Sequence, residues 1–448
     1  MRYFIDPFGC AKNQVLAENM MACLDKAGWL CAKEADDADL IIVNSCGFIE
    51  SAKQESINAV LQWRALYSGK KILLAGCLAQ RYAKELSEAL PEADGFFGVD
   101  GIGDIAQVAA RLAGAEIAGG VHGEVPPPGA RPLLSLPGSA YVKIADGCSN
   151  RCSYCAIPLI WGDTRSRDID GIIDECRLLL RRGVKELCIV GQDICSFGMD
   201  AAAAGGDGRG SRLPDLLRCI SRLEGHFWVR LLYLHPDRFP LEILDIMAAD
   251  SRFLPYFDIP FQHASPKILA AMKRGGSAEK YLGLIETIRG RLPKAVIRST
   301  FLLGFPGETD SDFAQLLDFQ QKAALDWLGC FAYSREEGTE SYSMKGQVPK
   351  KTALLRKKQI EERQVPITEK NMERFAGQHL DVLLEEQVDD FWLGRVYCQA
   401  PDIDGSAVIA IDKTAPELAA GDLVPCKIIA RRGFDLEAAV LKPGLPEV

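Results

Sequence analysis

The stretch GCSNRCSYCAIP, residues 147–158, gathers Cys148, Cys152 and Cys155 within eight residues and offers no fourth cysteine or histidine close by. A structural zinc site closes its coordination with four protein ligands, usually as two close pairs. Three thiolates can instead hold a four-iron four-sulfur cluster by three of its irons and leave the fourth iron open to an exogenous ligand. Zinc, or simple burial of small thiols, is the plainer alternative, and the flanking sequence weighs against it.

The loop directly follows YVKIA (141–145), the first of six apolar runs. The others are ELCIV (186–190), WVRLLYL (228–234), YFDIP (256–260), VIRSTFLL (296–303) and LGCFAY (328–333). Helical patterns separate them, which predicts β-α units around a parallel sheet. Six such units suit an incomplete (β/α)6 barrel with its active site at the C-terminal ends of the strands. The cysteine loop falls at such an end. So do the glycine turns GQD (191–193) and GFPGETD (304–310), where a nucleoside can approach the backbone closely. The run MDAAAAGGDGRGS (199–211) reads as a surface loop.

Upstream, RYFI (2–5), LIIV (40–43) and KILLA (71–75) are strand candidates, each followed by a helical pattern, and they predict a second parallel sheet. Just after each stands a cysteine: Cys10, Cys46 and Cys77. In a parallel sheet these positions converge on one edge, where helix N-termini favour anions and lower thiol pKa values. They make a second set of three thiolates. The other cysteines lie inside helical or strand patterns or lack a companion, as buried small hydrophobes do; Cys195, in the loop GQDICSFG, is the exception that faces the strand ends.

These signals divide the chain into an N-terminal domain (1–118), a Pro/Gly-rich linker (119–138), the barrel (139–349), a charged helical connection (350–375) and a tail (376–448). The tail carries HLDVLLEEQ, FWLGRVY, AVIAI and LVPCKIIARRG, short strands broken by Gly, Pro and Asp, which predict a small β-barrel or sandwich. From Ala376 onward 13 acidic residues face 6 basic ones, Asp389, Asp390, Asp402 and Asp404 among the acids. That balance repels phosphate and attracts a Lys/Arg-rich protein. The whole chain, at net charge −9, likewise argues against a dedicated nucleic-acid binder. There is no run of about 18 apolar residues, and the start MRYFIDPFGC lacks the basic and apolar regions of a signal peptide. A soluble, cytoplasmic protein with no membrane partner is expected, and its 15 cysteines are therefore not a disulfide scaffold.

The loop pattern, with Tyr154 just before its last cysteine, resembles the radical S-adenosylmethionine (SAM) superfamily. A three-cysteine N-terminal domain, a radical SAM barrel and a small β domain together resemble the methylthiotransferases over almost the whole chain. The segments GCAKNQVLAE (9–18), NSCGFIESAKQES (44–56), GCLAQRY (76–82), FFGVDGI (96–102), DGCSNRCSYCAIP (146–158), YFDIPFQHASPKIL (256–269), FLLGFPGETDSDF (301–313) and GCFAYSREEGT (329–339) are similar to the branch that modifies an aspartate of a ribosomal protein. The tRNA-modifying branch usually has serine and glycine where this chain has His263 and Ala264.

The resemblance implies an α/β chain: an N-terminal parallel-sheet domain, a central incomplete (β/α)6 radical SAM barrel and a C-terminal TRAM-like β-barrel. It implies two 4Fe-4S clusters, one on Cys148, Cys152 and Cys155 that reduces and cleaves SAM, and one on Cys10, Cys46 and Cys77 that delivers sulfur. A further SAM supplies the methyl group. Cofactor contacts are expected from Tyr154, Gly191, Gln192, Gln262, His263, Arg298, Ser299 and the turn Gly304 to Glu308; no single catalytic side chain is assigned. The implied substrate is small-subunit ribosomal protein twelve, modified at an aspartate β-carbon, with an electron donor such as flavodoxin or ferredoxin. The same chemistry on tRNA adenosine is the alternative, and a non-enzymatic iron-sulfur or RNA-binding module the next. Two departures alter the local contacts that the resemblance would carry over. Trp161 precedes Gly162 where the family pattern has arginine, and Val15-Leu16 replaces a valine-aspartate pair.

Overall fold

The computed structural model describes residues 1–114, 125–200, 210–411 and 418–441. The first part of the expected linker, most of the surface loop at 199–211 and the end of the chain lie outside the described residues. Two compact units emerge. One comprises Met1–Ser135, Tyr141–Leu178 and Ser334–Tyr342; the other comprises Leu136–Ala140, Leu179–Tyr333 and Ser343–Val448.

In the first unit, five parallel strands run in the order β2-β1-β3-β4-β5: β1 (Arg2–Pro7), β2 (Leu30–Cys31), β3 (Leu40–Ser45), β4 (Lys71–Gly76) and β5 (Gly95–Phe97). Helices α1 (Ala11–Lys26), α2 (Glu50–Leu66), α3 (Cys77–Ala89) and α4 (Ile105–Ala113) connect and cover them. β3 is buried at every residue, as a strand sandwiched between helix layers must be, and reads as one apolar run for that reason. The short strands β2 and β5 carry no such run and were not foreseen. The Pro/Gly-rich segment is pinned where it is described: Arg131, 1% exposed, pairs with Glu18 at 2.8 Å and with Glu175. A buried guanidinium is tolerated there because two carboxylates meet it.

After β6 (Ser139–Lys143), the first unit also holds the cysteine loop, the two-stranded ribbon of β7 (Ala145–Asp146) and β8 (Arg165–Ser166), helix α5 (Ile157–Trp161) and most of α6 (Ile169–Arg181).

The second unit carries the parallel sheet of β9 (Glu186–Val190), β10 (Trp228–Leu231), β11 (Phe253–Asp258), β12 (Val296–Leu303) and β13 (Trp327–Ala332), in that spatial order. The backbone before Ser139 joins the sheet edge, since the N–H of Glu186 donates to Gly138 O at 2.9 Å. Between the strands come α7 (Leu213–Ser221), α8 (Glu242–Ala249), α9 (Pro266–Ala271), α10 (Ala278–Arg291) and α11 (Asp310–Ala323). α11 starts at a reciprocal cap in which Thr309 and Asp312 each accept from the other's backbone N–H. This cap fixes the end of the GFPGE turn. Helix α12 (Lys350–Met372) lies along β13, where Gln364 donates to Leu325 O and Thr368 to Asp326 O, both at 2.8 Å.

The tail closes into a five-stranded barrel of β14 (His379–Val388), β15 (Phe391–Arg395), β16 (Ala407–Ala410), β17 (Leu423–Arg432) and β18 (Asp435–Val440). It packs against the heads of the central strands: Trp327, the first residue of β13, donates its indole N–H to Cys398 O at 2.7 Å. Glu186, at the head of β9, meets Arg395 of β15. The barrel thus sits at the strand end opposite the glycine turns.

Candidate functional site

Cys10, Cys46 and Cys77 stand just beyond the C-terminal ends of β1, β3 and β4, three neighbours in one parallel sheet. Cys10 is the N-cap of α1 and Cys77 opens α3, so two of the thiols lie at helix N-termini. Asn13 stitches the three strand ends together. Its amide donates to Phe8 O at 2.6 Å and Ser45 O at 3.1 Å, its Oδ1 lies 3.5 Å from the Cys77 sulfur, and its own carbonyl accepts from Asn44 at 2.8 Å. Sequence reasoning missed this residue, although the GCAKN motif contains it.

The thiols feel one another. Desolvation opposes ionisation of Cys10, but Lys12 and the N–H groups of Lys12 and Asn13 hold its thiol below its ordinary value. Burial pushes Cys46 up to about 11, and negative charge on Cys10 adds to the shift. Burial, then charge on Cys10 and Cys46, pushes Cys77 up to about 12. Three thiolates that repel each other require a cation to deprotonate together, which iron supplies. Thiols on three adjacent strand ends, two of them at helix N-termini, are the kind of donor set that binds a cluster through three of its irons.

Cys148, Cys152 and Cys155 are all half-buried. Hydrogen bonds close their loop: Cys148 N–H donates to Gly162 O at 3.1 Å and Cys155 N–H to Cys152 O at 3.0 Å. Ser149 and Thr164 exchange hydrogen bonds across the base. Gly147 must be glycine, since its φ is +66° and a Cβ there would lie 2.1 Å from Asp163 O. Tyr154 is half-buried within the loop. Ser153 O accepts the N–H of Ser341 at 2.8 Å. Nearby in the same unit, Glu336 receives Arg81 at 2.8 Å and Lys53 at 3.0 Å, pairings without any local sequence signal.

In the second unit, the expected cofactor residues separate into three places. Gln262, His263, Ser299 and Gly304 come together at the ends of β11 and β12. The N–H of Phe261 donates to Ser299 Oγ at 3.1 Å, and Gln262, at φ +68°, donates its N–H to Thr300 O at 2.8 Å. His263 is fully buried; its Nδ1 accepts from the N–H groups of Ala264 and Ser265 at 2.9 and 3.0 Å. Among the described residues its Nε2 has no hydrogen-bond partner; it lies 3.8 Å from Glu308. Burial lowers the His263 pKa to about 4, so the ring is neutral at pH 7 and carries its proton on Nε2. Glu308 accepts the Gly304 N–H at 2.6 Å and an Arg356 N–H at 2.8 Å.

Gly191 and Gln192 lie beyond β9, where Asp193 caps the next turn through Cys195 N–H at 2.9 Å. Cys195 is fully buried, and that burial raises its pKa well above the ordinary thiol value. It is a core thiol. Arg298 stands apart, near the head of β12, with its guanidinium 3.3 Å from Asp258 and 3.5 Å from Asp404 of the C-terminal barrel.

Three family models match the chain: Uncharacterized protein family UPF0004 over residues 2–98, the Radical SAM superfamily over 142–319 and the TRAM domain over 376–441. The chain is 46% identical to the ribosomal protein uS12 methylthiotransferase RimO of Treponema denticola, covering 98% of this chain and 100% of that one. It is 40% identical to the RimO of Syntrophomonas wolfei, over 96% and 97% of the two chains. Among solved structures, the radical SAM methyltransferase TsrM of Kitasatospora setae shares the fold at a TM-score of 0.52 and 17% identity, covering 73% of this chain and 72% of that one. With two cysteine sets, a radical SAM sheet and a TRAM barrel in one chain similar to RimO along nearly its whole length, the protein belongs to the RimO family of radical SAM methylthiotransferases.

Proposed function

We infer that this chain inserts sulfur and a methyl group at the β-carbon of an aspartate in ribosomal protein uS12. The observation that carries this reading is the presence of two separate three-thiol sets, one on the loop at 148–155 and one across three adjacent strand ends. Cys148, Cys152 and Cys155 would hold one 4Fe-4S cluster with an iron left for SAM, and Cys10, Cys46 and Cys77 the other. When bound, these groups supply the one-electron chemistry, the sulfur and the methyl group.

The protein's part is placement. Lys12 and the first turn of α1 favour the Cys10 thiolate, and Asn13 holds the three strand ends in register. Gln262, His263, Ser299 and Gly304, with Tyr154, Gly191 and Gln192, are proposed as the SAM contacts. A neutral His263 offers a hydrogen bond without charge. Arg298 is proposed to act in the same region through Asp258, which it restrains. The acidic tail, 13 acids against 6 bases, suits a basic ribosomal protein better than tRNA. Among the described residues no helix is long and apolar enough to cross a membrane. The reading places the protein in the cytoplasm, beside the ribosome and a low-potential donor such as flavodoxin or ferredoxin.

The test is anaerobic reconstitution with iron and sulfide, followed by mass spectrometry of uS12 and of tRNA after incubation with SAM and reductant. About eight irons and a methylthio adduct on uS12 alone are expected. Replacing Cys148, Cys152 and Cys155 by alanine should remove about half the iron and all SAM cleavage. Replacing Cys10, Cys46 and Cys77 should remove the other half and leave cleavage without methylthiolated product. Product from a folded chain lacking the second set would overturn the two-cluster reading.

A further inference from the structure

Residues 334–342 belong to the first unit and reach the backbone of both cysteine sets. Glu336 is 2% exposed and meets two cations from the helices of the N-terminal sheet, Arg81 of α3 at 2.8 Å and Lys53 of α2 at 3.0 Å. Ser334 Oγ donates to the same carboxylate at 2.6 Å and accepts the N–H of Glu50 at 3.2 Å. Arg81 also donates to Gly47 O at 3.0 Å and to Glu337 O. Gly47 follows Cys46 and lies against the backbone of Cys77, since a Cβ there would stand 2.6 Å from Cys77 O. Toward the other set, Thr339 donates its N–H and its hydroxyl to Glu336 O and so turns the chain. Ser341 N–H then donates to Ser153 O at 2.8 Å, between Cys152 and Cys155. One short segment thus fastens the backbone that carries Cys46 and Cys77 to the loop that carries Cys152 and Cys155.

We propose that Glu336 is a positioning residue for sulfur insertion: by holding Arg81 and Lys53 it fixes the distance between the two cysteine sets. The proposal rests on the reading of both sets as cluster ligands, one for SAM cleavage and one for sulfur delivery. Sulfur must come within bonding reach of the substrate carbon, and a misplacement of about 1 Å can cost on the order of 100-fold in rate. A buried carboxylate between two cations makes a stiff tie, because releasing one member strands the charge of the others. Glu336 acts through Arg81 and through the turn that leads to Ser341; no bond to it is made or broken in the reaction. Glutamine keeps its size and hydrogen-bond acceptor without the charge, and aspartate keeps the charge at a shorter reach.

The experiment compares the full chain with its Glu336→Gln and Glu336→Asp variants. In the iron-free proteins, hydrogen exchange is followed by mass spectrometry over residues 44–50 and 148–155. Glu336→Gln should speed exchange in both stretches by about tenfold or more while β9 and β12 keep the parent's rates, and Glu336→Asp should stay close to the parent. Each protein is then reconstituted, and its iron, SAM cleavage and methylthiolated uS12 are counted. Glu336→Gln should hold about eight irons and cleave SAM at the parent's rate, yet yield about tenfold less product, or lower still, per SAM cleaved. Glu336→Asp should recover most of that ratio. An unchanged ratio in Glu336→Gln, unchanged exchange in either stretch, or equal losses of iron and product in both variants would overturn the proposal. Absence of iron from the parent chain would instead overturn the ligand assignment on which the proposal stands.

Discussion

Glu186, the first residue of β9, receives Arg395 of the C-terminal barrel at 2.7 Å while Arg230 of β10 approaches its other oxygen, also at 2.7 Å. All three side chains are buried, and Ser139 completes the carboxylate's hydrogen bonds. A buried carboxylate between two guanidiniums is held together by its partners; removal of one strands the others. Arg395→Met should therefore destabilise the folded chain by about 3 kcal/mol, read by denaturant unfolding. Replacing Glu186, Arg230 and Arg395 together with apolar residues of similar volume should recover much of that loss. A single variant as stable as the parent would show that the network is not what seats the barrel.

Gly147 gives a test of the cysteine loop. An alanine there would place Cβ 2.1 Å from Asp163 O at a φ of +66°. The loop must then move, and Gly147→Ala should lose most of the iron held by Cys148, Cys152 and Cys155 together with SAM cleavage. Gly183, at φ +91° with open space around its Cβ, isolates the backbone strain alone. Gly183→Ala should cost about 1–3 kcal/mol and leave iron content unchanged. Normal iron in Gly147→Ala would refute the steric account.

The tail's acids are not equivalent. Glu386 and Asp390 are exposed around the β14–β15 turn, whereas the carboxylate of Asp404 is buried, accepts from Tyr256 at 2.6 Å and faces Arg298. Lysine at 386 and 390 should weaken binding to uS12 several-fold at low salt and flatten its salt dependence, measured by calorimetry. Lysine at 404 should instead lower stability by about 3 kcal/mol or more. Binding indifferent to the first pair of changes would point to recognition by shape.

His263 carries a pH signature. Its folded pKa of about 4 lies below the ordinary 6.5, mainly through burial, so the unfolded chain binds the extra proton first. Its contribution is complete above pH 6.5 and is lost as pH falls toward 4, on the order of 3 kcal/mol in all. The difference in stability between the parent and His263→Asn should follow that window. A difference independent of pH between 4 and 6.5 would mean that the ring is not neutral in the fold.

The sequence by itself determined the strands whose burial on both faces leaves an apolar run, and ELCIV and VIRSTFLL coincide with β9 and β12 at both ends. It also showed where both groups of three cysteines stand, because their spacing and strand-end placement are local signals. It did not reveal β18, DLEAAV, whose alanines and acids favour a strand only because β17 and β16 pair with it on either side. Nor did it separate Asp404 from the surface acids, or show what Arg298 meets, since burial of a charge depends on a partner brought from a distant segment. Composition counts Asp404 as one more acid. The tertiary structure makes it a buried counter-ion, and it likewise turns Trp161 from an odd residue after a motif into a buried member of the N-terminal core beside Leu16 and Cys77. Such roles arise from contacts between segments far apart in the chain, which only folding brings within hydrogen-bond reach.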